Sequence, residues 1–336
     1  MAGHKAYDVY ADSRRITHEE WLEHRKSGIG GSDAGAIMGV NPYKGPFSVW
    51  ADKRGYESSF DDTEAARQGR DLEHYAALRF SEKTGKGIRR EYGMLRSREF
   101  PFMTANFDRV VVGQKAGLEC KWSKDIYKKR WRDGEMPMEY YCQCLHYMAV
   151  SGWDVWYLVV VIALTEVMVY KISRGARQEE TGVDHYLPDA QEDIDTLTAA
   201  EEAFWRDHVE SGNPPPPDAL KSTSEALGLV YGDSEDCALY STEEDDLLIE
   251  QLVRLKEERK AADREIRRIE NQLKGLMKEA EELRSAIATV TWKSQKQRRI
   301  SAKLLKEKYP MVDIESVKTE TEGRVFRMRT EWEEEE

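Results

Sequence analysis

Phe107-Asp108-Arg109-Val110-Val111-Val112-Gly113-Gln114-Lys115-Ala116-Gly117-Leu118-Glu119-Cys120-Lys121-Trp122 reads as two strands joined by a turn. Apolar and β-branched residues predict strands over 102–112 and 117–122, with the turn at Gly113 to Lys115. Successive side chains of a strand point to opposite faces, so Glu119 and Lys121 share one face, Cys120 points away, and the turn brings Asp108 alongside. Two carboxylates and an amine then converge. Oxygen donors of this kind suit Mg²⁺ or Mn²⁺, with the Cys120 backbone carbonyl as a further ligand. Asp-x10-Glu-x-Lys by itself is a pattern that a solvated, ion-paired hairpin also satisfies. Here Val110, Val111, Val112 and Trp122 surround the charges with core residues, and burying a charge is costly unless it is paired or bound to a metal. A catalytic centre of Asp108, Glu119 and Lys121 is therefore expected. Its chemistry is phosphodiester hydrolysis: a bound ion polarises the phosphate and acidifies water, and Lys121 orients or deprotonates the attacking water.

The chain has 336 residues and is 40% hydrophobic, enough for one sizeable core and one to three domains. Its longest apolar run, Trp156 to Leu164, is far shorter than the roughly 20 residues of a membrane span and suits a buried strand. The N-terminal stretch with His4, Lys5 and Asp8 lacks the apolar segment of a secretory signal, so a cytoplasmic location is expected. Cys120, Cys142, Cys144 and Cys237 have neither the spacing of a disulfide framework or zinc ribbon nor the arrangement that holds an iron–sulfur cluster, and are expected as reduced thiols. The formal charge of -12 excludes a passive nucleic-acid coat while leaving room for a local basic channel. The acidic run at 331–336 is expected as a solvated tail.

Composition breaks most sharply at Gly212-Asn213-Pro214-Pro215-Pro216-Pro217-Asp218, which cannot continue a helix and reads as a semi-rigid linker. A first domain is therefore expected over 1–211 and a linker with its connecting segment over 212–241. Within the first domain, helices are expected at Thr17 to Lys26, Ala65 to Thr84 and Met138 to Val150, and further strands at Trp153 to Ala163 and Glu166 to Ile172. After the linker, Leu248, Leu252, Leu255, Ala262, Ile266, Ile269, Leu273, Leu276, Ala280 and Leu283 recur at alternating steps of four and three, interrupted only by Arg259. A coiled-coil-forming helix is expected over 242–284. Its partner is either a second copy of itself or the helix near Leu187 to Phe204, whose Ala190, Ile194 and Leu197 keep a similar spacing. A small C-terminal module over 285–330, with a helix at Ala302 to Lys308, and the acidic tail complete the chain.

Four blocks in this order resemble the YqaJ-type viral recombinase family, a lambda exonuclease-like group within the PD-(D/E)xK nucleases. They are Trp21-Leu22-Glu23-His24-Arg25 with Gly30-Gly31-Ser32-Asp33-Ala34; Gly69-Arg70-Asp71-Leu72-Glu73; Asp108 with Glu119-Cys120-Lys121; and Tyr141-Cys142-Gln143 with His146-Tyr147-Met148. The resemblance covers roughly residues 14–172, and Phe107 stands where the class name has proline. It implies an α/β fold, a PD-(D/E)xK core of mixed sheet flanked by helices, here followed by the long coiled-coil-like helix and a small α+β cap. It further implies that Arg25 and Ser32 hold a DNA 5′-phosphate, that Glu73 joins Asp108, Glu119 and the Cys120 carbonyl near the metals, and that Gln143 contacts the nucleophile or the scissile phosphate. The implied activity is a metal-dependent 5′-to-3′ exonuclease on double-stranded ends, making 3′ tails for phage-type homologous recombination. Ring-like homo-oligomers and a single-strand annealing protein are the implied partners, in a bacterial or phage-infected cell.

The same residues have readings of their own. Thr17-His18-Glu19-Glu20 is a capping-box pattern, and four-residue spacing puts Trp21 and Arg25 on one helix face. Gly30-Gly31-Ser32 suits the opening of a second helix, whose N–H groups with the Ser32 hydroxyl and Arg25 form an anion site; ordinary capping also fits. Glu73 also reads as an exposed helix glutamate, Gln143 as satisfying a buried backbone group, and His146, among aromatics, as structural. Lys124, Lys128, Lys129, Arg130 and Arg132, interleaved with Trp122, Tyr127 and Trp131, form a DNA-tracking segment or an amphipathic surface one. A second basic group runs from Lys293 to Lys308. Two rival functions remain: an endonuclease whose coiled coil pairs two active sites, and a catalytically idle DNA-binding scaffold, against which the intact Asp108, Glu119 and Lys121 argue.

Overall fold

The computed structural model describes residues 6–56, 64–124, 130–296, 298, 300–309, 311, 313, 316 and 324–328. The chain divides into two units, Met1–Gly232 and Asp233–Glu336. The first contains β1 (Tyr7–Asp12), α1 (His18–Lys26), α2 (Gly31–Ile37), α3 (Pro46–Lys53), α4 (Glu64–Thr84), β2 (Ile88–Arg90), β3 (Gly93–Ser97), β4 (Thr104–Ala105), β5 (Arg109–Val111), β6 (Ala116–Ser123), α5 (Met138–Ser151), β7 (Val155–Ile162), β8 (Glu166–Ser173), β9 (His185–Leu187), α6 (Gln191–Phe204) and α7 (Lys221–Val230). The second contains α8 (Glu243–Met277), β10 (Glu282–Arg284), β11 (Thr289–Thr291) and α9 (Ala302–Lys308).

A six-stranded mixed sheet, in the order β2-β5-β6-β7-β8-β9, forms the centre of the first unit. β6 and β7 run parallel from Ala116↔Val155 to Ser123↔Ile162, and α5 supplies the crossover that parallel neighbours need. Both faces of the sheet are covered, which is why β7 is a nearly continuous apolar run. Leu118, Cys120, Tyr157, Val159 and Val161 pack with Ala76, Ala77 and Phe80 of α4. Val110, Trp156, Leu158, Val160 and Ile162 pack with Cys142, Leu145, Tyr147 and Met148 of α5 on the opposite face. A Cβ at Gly117 would lie 2.2 Å from the Trp156 ring, so glycine there makes room for the largest side chain of that core.

The expected strand over 102–112 is divided between two sheets. β4 pairs antiparallel with β3 in a small sheet that also holds β1, whereas β5 joins the large sheet between β2 and β6. The chain changes sheets at 106–108, and Asp108 sits at that change, just before the ladder begins. β5 pairs with β6 only as far as Arg109↔Leu118. Beyond Leu118 the β5-facing edge of β6 is open, and Asp108 reaches it.

The division between the units falls after Gly232, not at the proline run. Asp218 accepts from Leu220 N (2.8 Å) and the Thr223 hydroxyl (2.7 Å) at the start of α7, and Ala226 of α7 packs with Phe47, Val49 and Trp50 of α3. A proline-rich segment is extended whether it is solvated or packed, so composition does not separate the two cases. In the second unit, α8 opens with a capping box between Thr242 and Asp245 and four acidic residues in its first turn, both favourable at a helix N-terminus. It stops at Met277, where Lys278 takes a positive φ of 50°, instead of continuing to 284. Leu283 belongs to the β10–β11 hairpin, paired with Val290.

Candidate active site

The two-residue alternation of β6 gives the site its direction. Cys120 is packed beneath α4, so Glu119 and Lys121 face α5. Lys121 Nζ lies 2.6 Å from Glu119 Oε1 and donates to Gln143 Oε1 at 3.0 Å. Gln143 Nε2 in turn donates to Glu119 Oε1 at 2.7 Å and to the Tyr147 hydroxyl at 2.9 Å. Asp108 accepts the Cys120 N–H through Oδ2 at 2.8 Å. The N–H and C=O of one strand residue point to the same edge, so the Cys120 carbonyl is directed to Asp108's side. The Tyr140 ring lies 4.8 Å from Lys121 Nζ.

The electrostatics show a centre short of positive charge. Glu119 is 2% exposed, and its Oε2 is buried with no hydrogen-bond partner among the described residues. Burial, and then the nearby Glu119 and Glu73 carboxylates, push the Asp108 carboxyl well above its ordinary range. Burial opposes the charge on Lys121, but Glu119 and Asp108 outweigh it and hold the amine above its ordinary value, as an ammonium. An orphaned buried carboxylate oxygen, a second carboxyl under repulsion and a carbonyl on the same edge fit a hard divalent cation. Glu73, expected beside them, is taken by Arg109, which also donates to the Asp108 carbonyl at 2.6 Å, and lies 3.7 Å from Arg90. Among the described residues no group of three or more acidic, histidine or cysteine side chains gathers as a metal cluster.

Tyr147 is the residue that sequence reasoning missed. It follows Gln143 by four residues on α5, so the two share a face, and this spacing was the available signal. Its ring also closes the floor of a cavity of about 150 Å³ lined by Trp21, Arg25, Gly30, Ser32, Lys53 and Asn106. A Cβ at Gly31 would stand 2.5 Å from that ring, so the approach requires glycine. Arg25 donates to the Ser32 hydroxyl at 3.3 Å and stacks 4.9 Å from the Trp21 ring. Beneath them Asp33, 1% exposed, holds Lys53 at 2.7 Å and accepts the Gly30 N–H at 3.1 Å. Arg25 and Ser32 thus line one small cationic cavity, joined to Glu119 and Lys121 through Tyr147 and Gln143.

Arg130 pairs with Glu139 and lies 5.8 Å from the Tyr140 ring, near the mouth of the centre. Lys124 is exposed just beyond β6. Lys128 and Lys129 lie outside the described residues. His146 is fully buried, with Nδ1 2.9 Å from both Glu201 oxygens and Nε2 2.9 Å from the Thr104 carbonyl. The Thr104 carbonyl can only accept, so Nε2–H donates to it. It ties α5 to α6 and β4, meets the Tyr147 ring edge-on at 6.0 Å, and makes its hydrogen bonds to Glu201 and Thr104.

Fold and site together define a mixed α/β domain whose carboxylate–lysine–glutamine centre sits on the open edge of a central strand. Residues 20–154 match the model of the YqaJ-like viral recombinase domain. Over 329 residues, 97% of this chain and 98% of the relative, the sequence is 35% identical to the protein YqaJ of Bacillus subtilis (strain 168). The chain belongs to the YqaJ-like viral recombinase family. Among solved structures, the alkaline exonuclease LHK-Exo of Laribacter hongkongensis is 16% identical, with 58% of this chain and 94% of that one covered at a TM-score of 0.44. A phage-related exonuclease of Haemophilus somnus 129PT is 14% identical, with 57% and 99% covered at 0.39.

Proposed function

We propose that the protein is a metal-dependent deoxyribonuclease of the PD-(D/E)xK type, acting 5′ to 3′ on double-stranded ends and leaving 3′ single-stranded tails for recombination. The observation that carries this is the convergence of Asp108, Glu119, Lys121 and Gln143 at the open edge of β6, with Glu119 Oε2 buried and unpartnered. Asp108, Glu119 and the Cys120 carbonyl would hold Mg²⁺ or Mn²⁺, with Glu73 as the neighbouring carboxylate. When bound there, such an ion would supply Lewis acidity toward the phosphodiester and would lower the pKa of water. Lys121, an ammonium fixed by Glu119 and Gln143, orients the attacking water and stabilises negative charge on the phosphate. Gln143 fixes the lysine, and Tyr147 fixes Gln143. Arg25 and Ser32 receive the terminal 5′-phosphate as charge-assisted donors, and Lys124, Lys128, Lys129 and Arg130 follow the DNA backbone. In this reading the protein works as a homo-oligomer, in the cytoplasm of a bacterial or phage-infected cell, and passes its product to a single-strand annealing protein.

The test digests linear duplex labelled on one strand, bearing a 5′-phosphate or 5′-hydroxyl, beside closed-circular plasmid, in Mg²⁺ and in EDTA. Loss of the 5′-phosphorylated strand is expected, with the circle intact and both EDTA and Lys121→Ala abolishing digestion. Cleavage of the circle would make the protein an endonuclease. Metal-dependent loss of neither substrate would remove the nuclease reading.

A further inference from the structure

We infer that α8 is a self-association surface on which a second copy of this chain docks antiparallel. Leu248, Leu255, Ile266, Ile269 and Leu276 lie on the stripe of alternating three- and four-residue steps, yet they are 44–66% exposed. At 1.5 Å per residue the helix presents this stripe over roughly 42 Å. Its other candidate partner is already engaged: Ile194, Leu197 and Phe204 of α6 are buried in the first unit.

Charge selects the occupant and its direction. Residues 243–258 carry seven acidic and two basic side chains, and residues 259–277 carry three acidic and six basic ones. A parallel pair sets the acidic halves against each other, and likewise the basic halves. An antiparallel pair sets each acidic half against a basic half, which is how flanking charges choose orientation. The seam agrees with this direction. A two-fold axis between Lys260 and Ala261, beside the middle of Glu243–Met277, layers Leu248 on Leu273, Leu252 on Ile269 and Leu255 on Ile266 of the second copy. The one polar interruption, Arg259, then faces Ala262, whose small side chain leaves space for the arginine stem to run out to solvent.

The test uses the full chain with Cys237→Ser, because Cys237 is exposed whereas Cys120, Cys142 and Cys144 are buried. Leu255→Cys and Ile266→Cys are made singly and mixed in equal amounts under mild oxidation. Within one helix these positions are about 16 Å apart, beyond the reach of a disulfide, so a cross-link joins two chains. The mixture is expected to give a covalent dimer carrying one of each variant, at least fivefold more than either variant forms alone. Equal cross-linking of each single variant with itself would establish parallel pairing and overturn the proposal. A second arm measures the mass of the uncross-linked full chain by light scattering, with Leu252→Asp/Ile269→Asp as the comparison. Loss of a subunit contact in that variant is expected; an unchanged mass, or no cross-link in any sample, would also overturn the proposal. Neither readout depends on DNA cleavage.

Discussion

Lys121 and Gln143 share one carboxylate oxygen, Glu119 Oε1, so the three side chains respond to mutation as a unit. Glu119→Gln and Lys121→Ala are expected to lower the rate of DNA hydrolysis by at least about two orders of magnitude, the scale of removing a positioned charge from a reacting centre. Tyr147→Phe keeps the ring that packs on Gly31 and deletes one acceptor for Gln143, so a loss of about tenfold or less in kcat with little change in Tm is expected. Arg25→Ala removes a charge-assisted donor worth about 1.5–3 kcal/mol. It is expected to bring the rate on 5′-phosphorylated ends down to that on 5′-hydroxyl ends, which matched substrates measure directly. His146 makes a prediction of opposite character. Burial opposes its charge, but Glu201 and the Thr104 carbonyl outweigh that and raise its pKa above the ordinary value of 6.5. The pair's stabilisation is therefore complete below pH 6.5 and is lost as pH rises through the raised value. Urea unfolding of the wild type against His146→Ala should show the difference shrinking on the alkaline side.

Elements divide into those fixed by local pattern and those fixed by what covers them. Gly117 is the β6 partner of Trp156 on β7, whose ring lies against it, and Gly117→Ala, an overpacking change, is expected to cost about 1–3 kcal/mol, readable as a fall in Tm. The segment at 212–232 packs on α3, so a chain ending at Ser211 is expected to melt below one ending at Gly232, because it uncovers Phe47 and Val49. The loop after β8 is fastened by Glu180, which accepts from Lys171 Nζ at 2.6 Å and the Tyr157 hydroxyl at 2.7 Å and pairs with Lys86 at 3.0 Å. Burial opposes the Glu180 charge, but these donors hold its carboxyl down at about 2. Its folded value is depressed, so its contribution is present above about pH 4.5 and lost as pH falls toward 2.

For the whole molecule, the net charge of -12 sets a repulsive long-range field, so under the proposed function DNA is held locally, at the cationic cavity beside the acidic centre. Binding to duplex ends, measured by anisotropy with Lys121→Ala, is expected to weaken as salt rises, with a slope set by the few phosphates contacted. Arg25→Ala should reduce that slope by about one.

Local pattern reached far into this fold. The helices over Met138–Ser151 and Glu64–Thr84 and the strands β6, β7 and β8 stand where their apolar periodicity put them, because each buries a face whose spacing is written residue by residue. The two-residue alternation also put Glu119 and Lys121 on one face and Cys120 on the other. What the sequence could not determine depended on contacts between distant segments. The division of the 102–112 stretch between two sheets follows from β3 drawing β4 away from β5, and it is what frees Asp108 to reach the edge of β6. The pairing of Glu73 with Arg109 follows from α4 covering the sheet face that Arg109 shares with Val111, and the inclusion of the proline run in the first unit from α7 settling on α3. Periodicity names the face an element buries; only the assembled molecule decides which neighbour meets that face, and so that one oxygen of Glu119 is buried without a hydrogen-bond partner among the described residues.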